Sequence, residues 1–281
     1  MGDSRWMDCP VIIPYLGGKF ELSRVLIPML APHQRYIEVF AGGLSMFYRK
    51  KKVEWNVVND KDNDVINLYE SIRTRFEEFK EHAYWLIKGR EPFLRYRKEI
   101  HESKIIIIPD PERAAKYYYV IRNAFNRNIN ATISKNSDSW HTKLLDDLHY
   151  SRERLNNVLI ENMDFEELHN KYPSRKGDMW YLDPPYIVAG ERGDYYFFDF
   201  NMEDHRRLAR MCQAIDANNG KFMVSYDDRE EVRELYKNFR IKVIKTIYAG
   251  QQHNRVEKNE LVITNYQPSE QHTLFEEKEI Q

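Results

Sequence analysis

Cysteine is scarce. Cys9 and Cys212 stand far apart in the 281 residues and outside any CxxC spacing, which excludes a disulfide framework and a zinc site of the usual ligand pattern. Long hydrophobic runs are missing too. No apolar stretch approaches the roughly 20 residues that cross a bilayer, and Ile105 to Ile108 is cut by Pro109. Residues 1–10 lack the apolar core of a signal peptide, so a cytoplasmic protein with reduced thiols is expected. Neither sign of charge dominates: 43 basic side chains face 44 acidic ones, for a net charge of −1. Any nucleic-acid surface must therefore be a local basic patch. The nine histidines show no ligand spacing, and no metal is expected. Neither a GxGxxG fingerprint nor P-loop spacing occurs, which disfavours nicotinamide cofactors and P-loop chemistry.

Apolar and aromatic residues, by contrast, are plentiful. The chain is 42% hydrophobic, with 19 tyrosines and 14 phenylalanines, enough for one large domain or a domain with a sizeable insertion. Residues 35–40 read as a buried strand ending in Ala41-Gly42-Gly43, and 54–59 as a second ending at Asp60. Helical spacing follows over 65–79, with Gly89 as the expected stop. Asp110-Pro111-Glu112 pairs a capping acid with proline at the first position and predicts a helix through 114–125. Beyond Arg152, strands are expected at 158–161, 179–182, 221–226, 241–248 and 261–265, with helices at 202–219, opened by Asn201 and ended near Gly220, and at 229–238. This is an α/β pattern, a mainly parallel sheet interrupted by a mostly helical insertion. Residues 1–64 and 152–267 form the α/β parts, 65–151 the insertion, and 268–281 a polar, mobile tail. Ligands of such sheets bind at the carboxyl ends of the strands, where Gly42, Gly43, Asp60 and Asp183 fall.

The segment "YLDPPY", 181–186, follows an apolar strand. Pro184 and Pro185 fix two successive φ angles and bias Asp183 to an extended conformation, so the loop is stiff before a substrate arrives. It offers acceptors rather than donors, the Asp183 carboxylate and the Pro184 carbonyl, with the Tyr186 ring beside them as a stacking face. An acceptor pair suits an amino group with two hydrogens to donate. For an exocyclic base nitrogen, accepting both hydrogens localises a lone pair otherwise spread into the ring, and Asp183 offsets the charge that develops as nitrogen attacks a methyl group. The glycine turn with an acid after the next strand fits a nucleoside site, in which the carboxylate takes both ribose hydroxyls. Alone, that second feature reads equally as a tight turn, and Lys19 in "PYLGGKF" as a solvated charge.

Taken together these residues resemble the Dam-type DNA adenine N6-methyltransferases, the alpha group of amino-methyltransferases. "PYLGGKFELSRVLIPML", "YIEVFAGGLSMFY", "VVNDKDNDVINLY", "RNAFNRNINATISK", "IENMDFEEL", "GDMWYLDPPY", "GKFMVSYDD" and "RVEKNELVITNY" follow the family's order over nearly the whole chain. The resemblance implies a Rossmann-like, S-adenosylmethionine-dependent methyltransferase sheet with an inserted, mostly helical target-recognition domain. It implies S-adenosylmethionine as cofactor, S-adenosylhomocysteine as product, and a site-specific reaction on an adenine flipped out of duplex DNA. Asp183, Pro184, Pro185 and Tyr186 then hold and stack the base, Asp60 binds the ribose, and Asp164 with Phe165 holds the cofactor adenine. Tyr15, Lys19, Glu38, Phe40, Ala41, Gly42 and Gly43, beside Asp183, surround the methionine end, with Lys19 also near the target base. Four positions depart from the family. Val39 replaces a proline, Leu44 stands where a second spaced glycine is usual, and Tyr15-Leu16 replace a Trp-Ala pair.

In the insertion, Arg122, Asn123, Asn126, Arg127, Asn128, Asn130 and Lys135 suit phosphates and base edges. With the resemblance they become the expected specificity region; without it they read as a solvated helix end. Double-stranded DNA is the expected partner, with no membrane, a separate cognate restriction endonuclease, a monomeric or weakly dimeric state, and a bacterial or phage origin. Two other readings stand beside this one: methylation of an RNA adenine or glutamine amide, whose enzymes usually carry Asn in place of Asp183 and lack a long insertion, and a DNA-binding protein that has lost catalysis.

Overall fold

The computed structural model describes residues 12–13, 22–103, 107–135, 140, 143–187, 200–249 and 255–269. Cys9, Tyr15, Lys19 and the tail beyond residue 269 lie outside them. Seven strands form one sheet: β1 (Arg35–Glu38), β2 (Trp55–Asn59), β3 (Leu159–Glu161), β4 (Asp178–Leu182), β5 (Lys221–Asp227), β6 (Arg240–Ala249) and β7 (Arg255–Thr264). Their order is β3-β2-β1-β4-β5-β7-β6. The first five are parallel, and β7 runs antiparallel between β5 and β6. Chain order reverses between β1 and β4, the point where sheets of this kind take ligands in a crevice beyond the strands' carboxyl ends.

Period-two alternation splits the strand side chains between two cores. Tyr36, Val58, Met179, Tyr181, Met223 and Val262 face one side; Ile37, Val57, Trp180, Leu182, Phe222, Val224 and Ile263 face the other. The first face is covered by α1 (Ser23–Leu26), α2 (Ser45–Arg49), α3 (Asn63–Thr74) and the insertion helices α4 (Phe76–Tyr84), α5 (Arg90–Glu102), α6 (Pro111–Asn123) and α7 (Lys143–Leu155). Against the second pack α8 (Phe165–Lys171), α9 (Met202–Ala217) and α10 (Glu230–Leu235). The insertion thus shares its core with the sheet, and its expected limits at 64/65 and 151/152 fall inside α3 and α7. At the amino ends of β1 and β4, buried Arg35 pairs with Asp178 through Nε at 2.8 Å.

Caps are where local sequence speaks most clearly. Asp110 accepts from the Arg113 amide at 3.0 Å with Pro111 at the first helical position, and Asn67 of α3 clamps the same start by bonding both the Asp110 amide and carbonyl. Asn201 opens α9 in a capping box with Asp204. The helix expected over 65–79 is instead two, because Arg75 leaves helical geometry at φ −131°, ψ 44°. Gly89 does not stop a helix either: α4 ends at Tyr84, and Gly89 in extended conformation precedes α5.

Candidate active site

The carboxyl ends of β1, β2 and β3 are knitted by backbone and amide bonds. After Glu38 the chain stays in register long enough for the Val39 amide to reach the Tyr181 carbonyl at 3.0 Å, then the Ala41 amide bonds Asn59 O at 2.7 Å. Gly42 turns at φ +42°, a conformation open to glycine, and its amide donates to Asp60 Oδ2 at 2.8 Å. The other oxygen of Asp60 accepts from the Asp62 amide at 2.9 Å. Gly43 continues the turn into Leu44, which is buried and left-handed at φ +52°. Burial raises the pKa of Asp60 while amides of Asp62, Gly42 and Lys61 oppose it. Asn59, buried at the end of β2, bonds the carbonyls of Val39 and Met163, each at 3.0 Å, and the Met163 amide at 3.1 Å.

Beyond β3, Asp164 caps α8 by accepting from the Glu166 amide at 3.0 Å, and Glu167 completes the capping box. Phe165 is buried against Phe40 and Phe200, the three ring centroids lying 5.8 to 6.0 Å apart. Arg207 of α9 lays its guanidinium 4.7 Å from the Phe165 ring centroid. It also bonds Asp164 at 2.8 Å, Glu166 at 2.7 Å and Asp204 at 2.8 Å. A half-buried acid therefore stands beside an aromatic wall, as recognition of a flat heterocycle requires.

The loop after β4 completes the crevice. Pro184 is buried; Asp183, Pro185 and Tyr186 are half-buried. Ser225 donates to Asp183 Oδ1 at 3.1 Å, and the Tyr186 phenol donates to Glu260 of β7 at 2.6 Å. Tyr226 lies 6.1 Å from the Tyr186 ring, and its hydroxyl is 2.7 Å from His205 Nδ1. Burial pushes His205 down to about 4, leaving the imidazole neutral at pH 7. On the other side of the crevice, burial pushes Glu38 up to about 8; the Asp183 charge adds to this, and a 2.7 Å bond from the Tyr36 phenol opposes it. Lys50, 4.2 Å from the Tyr36 ring centroid, is brought down to about 7 by burial and then by Arg154.

Glu38, Phe40, Ala41, Gly42, Gly43, Asp60, Asp164, Phe165 and the 183–186 loop thus gather at the carboxyl ends of β1, β2, β3 and β4. Asn59, Phe200, Arg207, Ser225 and Glu260 were not anticipated. The decisive partners are distant in sequence, 42 residues for Ser225 and Asp183, and for Ser225 and Glu260 only the placement of "SYDD" on β5, beside β4, and of "KNEL" on β7, next to β5, gives a hint.

The insertion residues behave unevenly. Bonds from Phe125 N to Thr132 O at 2.7 Å and Ser134 N to Asn123 O at 2.6 Å close a loop, whose far side Arg97 of α5 holds through the Ala131 carbonyl at 2.8 Å. Asn126 and Arg127 belong to its 3₁₀ turn. Arg127 is left-handed and directs its guanidinium to the Arg122 carbonyl. Asn128 accepts from the Asn130 amide at 2.9 Å, Arg122 lies 5.9 Å from the Tyr118 ring centroid, and Lys135 is exposed. Asn123 corrects the expectation. It is fully buried and donates to the Tyr119 carbonyl at 2.8 Å, finishing α6 rather than facing DNA.

Residues 15–249 match the family model of the D12 class N6 adenine-specific DNA methyltransferases. Type II methyltransferase M1.LlaDCHI of Lactococcus lactis subsp. cremoris is 27% identical over 272 residues, covering 90% of this chain and 94% of its own. Type II methyltransferase M.MjaIII of Methanocaldococcus jannaschii is 25% identical, covering 85% and 91%. A DNA adenine methylase of Serratia marcescens is 22% identical, covering 83% and 89%.

Proposed function

The chain belongs to the D12 class N6 adenine-specific DNA methyltransferases, and from that premise we propose how this crevice methylates an adenine flipped from duplex DNA at a specific sequence. The observation that carries the reading is the convergence of the glycine turn, Asp60, Asp164 and Asp183 at the ends of adjacent parallel strands. These residues suit S-adenosylmethionine. Gly42 leaves room for close approach, Asp60 is a half-buried acceptor of the kind a ribose diol needs, and Phe40, Phe165 and Phe200 wall a flat ring. Asp164 would accept from the adenine amine. Glu38, Phe40, Ala41 and Gly43 would line the methionine end, together with Tyr15 and Lys19. When bound, the cofactor supplies the electrophilic methyl group.

The other half of the reaction belongs to the chain's own residues. Asp183 and the Pro184 carbonyl would accept the two hydrogens of the target amine, localising its lone pair, while Tyr186 stacks on the base. The Asp183 carboxylate offsets the positive charge that grows on nitrogen, and the stiff loop holds the in-line geometry. In the insertion, Arg122, Asn126, Arg127, Asn128, Asn130 and Lys135 would read bases and phosphates; buried Asn123 drops out. A bacterial or phage origin, a cytoplasmic setting, a monomeric or weakly dimeric state and a separate cognate endonuclease complete the proposal. Among the described residues, no helix is long and apolar enough to cross a membrane.

Single-molecule sequencing of DNA treated with the protein and S-adenosylmethionine tests the specificity: N6-methyladenine is expected in one short sequence context. Methylation scattered without context, or an Arg127→Ala variant with unchanged rates on the cognate sequence, would remove the loop from the reading.

A further inference from the structure

The two prolines fix the backbone that follows Asp183, but they do not fix its carboxylate. The terminal torsion of an aspartate is broad and roughly two-fold, so a group outside the loop must choose which way the oxygens face. Ser225 is placed to do this. It lies on β5, the strand paired with β4, and is fully buried. Its hydroxyl donates to Asp183 Oδ1 at 3.1 Å, while the phenol oxygen of buried Tyr181 lies 3.0 Å from the same serine oxygen. A serine hydroxyl has one hydrogen. With that hydrogen directed to the carboxylate, the second bond can form only if Tyr181 is its donor. The hydrogen bonds therefore run one way, from Tyr181 to Ser225 to Asp183.

We propose that Ser225 is a positioning residue for methyl transfer, setting the Asp183 carboxylate in the orientation that receives the target amine, and that Tyr181 in turn fixes the serine hydroxyl. The inference rests on the role proposed for Asp183. Among the described residues, Glu38 from β1 and Tyr226 from β5 also sense the Asp183 charge, and the hydroxyl bond of Ser225 reaches a carboxylate oxygen itself. Ser225 is buried under the loop and acts on substrate only through Asp183. Its loss should slow chemistry without weakening either substrate.

Steady-state methylation of duplex DNA with methyl-labelled S-adenosylmethionine tests this on wild type, Asp183→Ala, Ser225→Ala, Ser225→Thr and Tyr181→Phe. Ser225→Ala is expected to lose about 10- to 100-fold in kcat, with KM for cofactor and DNA within about twofold of wild type. Tyr181→Phe should lose less, and Ser225→Thr, which keeps the hydroxyl, should recover part of the loss. A kcat for Ser225→Ala within about twofold of wild type, a loss that appears in KM instead, or no recovery by threonine would overturn the proposal. If Ser225→Ala fails to fold, Tyr181→Phe decides, and wild-type kcat there overturns it. Failure of the underlying reading looks different: wild type makes no N6-methyladenine, or Asp183→Ala is as fast as wild type.

Discussion

Tyr186 donates its phenol hydrogen to Glu260 at 2.6 Å, tying the loop after β4 to a strand 74 residues away. Glu260 is 2% exposed, so this phenol serves a buried carboxylate where water does not reach. The Tyr186 ring is thereby held from β7.

Removing the hydroxyl should therefore be felt in stability. Tyr186→Phe takes one donor from a buried acid and is expected to cost about 1–3 kcal/mol. Glu260→Gln replaces the acid with a neutral amide. The double variant should lose less than the sum of the single losses in urea unfolding at pH 7; strict additivity would contradict the coupling.

Arg207 joins Asp164, Glu166 and Asp204 and covers Phe165. Arg207→Ala should release the Asp164 side chain and the aromatic wall together. Titration calorimetry is expected to show S-adenosylmethionine binding weakened about tenfold, or about 1.4 kcal/mol. Unchanged affinity would separate Arg207 from the cofactor site.

How much of this was legible beforehand follows from how local each signal is. Asp110-Pro111 and Asn201 announce helix starts because a cap is a contact over three residues. Strand ends carrying Gly42, Asp60 and Asp183 were visible through apolar runs that stop at glycine or acid. The break at Arg75 was not, since Val65 through Phe79 keep helical spacing and only packing of the insertion decides where the chain turns. Gly89 misled because glycine suits the residue before a helix as well as the one after it. Ser225, Glu260 and Arg207 were invisible for another reason: each acts across the sheet or between helices, on a partner that sequence distance conceals.

Leu44 occupies a left-handed conformation at φ 52°, ψ 35° while 1% exposed. That backbone costs an L-residue about 1–2 kcal/mol and glycine little. Leu44→Ala keeps the penalty and leaves a cavity, a loss of about 2–5 kcal/mol; Leu44→Gly leaves a larger cavity but removes the penalty. Denaturant unfolding should find the glycine variant at least as stable as the alanine one. A glycine variant lower by about 0.5–1 kcal/mol, the usual order, would contradict the strain.

Glu38 gives a pH dependence with a definite sign. Burial raises it from 4.5 to about 8, so between those values the folded chain holds a proton that the unfolded chain has released. Its contribution to stability is therefore present at low pH and lost as pH rises through the window. Glu38→Gln does not titrate, and Asp62, also raised by burial to about 8, is common to both proteins. The difference in unfolding free energy should move in favour of Glu38→Gln by up to about 1.4 kcal/mol per pH unit. Unfolding curves at several pH values across the window check it, and a pH-independent difference would contradict it.

In the proposed function Asp60 and its neighbours would hold the cofactor, while Asp183 would act on the target amine. The most direct test incubates wild type and Asp183→Ala with methyl-labelled S-adenosylmethionine and unmethylated duplex DNA, digests the DNA to nucleosides and identifies the labelled species, with cofactor affinity measured in parallel. Label in N6-methyldeoxyadenosine from wild type and none from a variant that still binds cofactor is the predicted result. Undiminished label from Asp183→Ala, or no labelled nucleoside from a wild type that binds cofactor, would contradict the account.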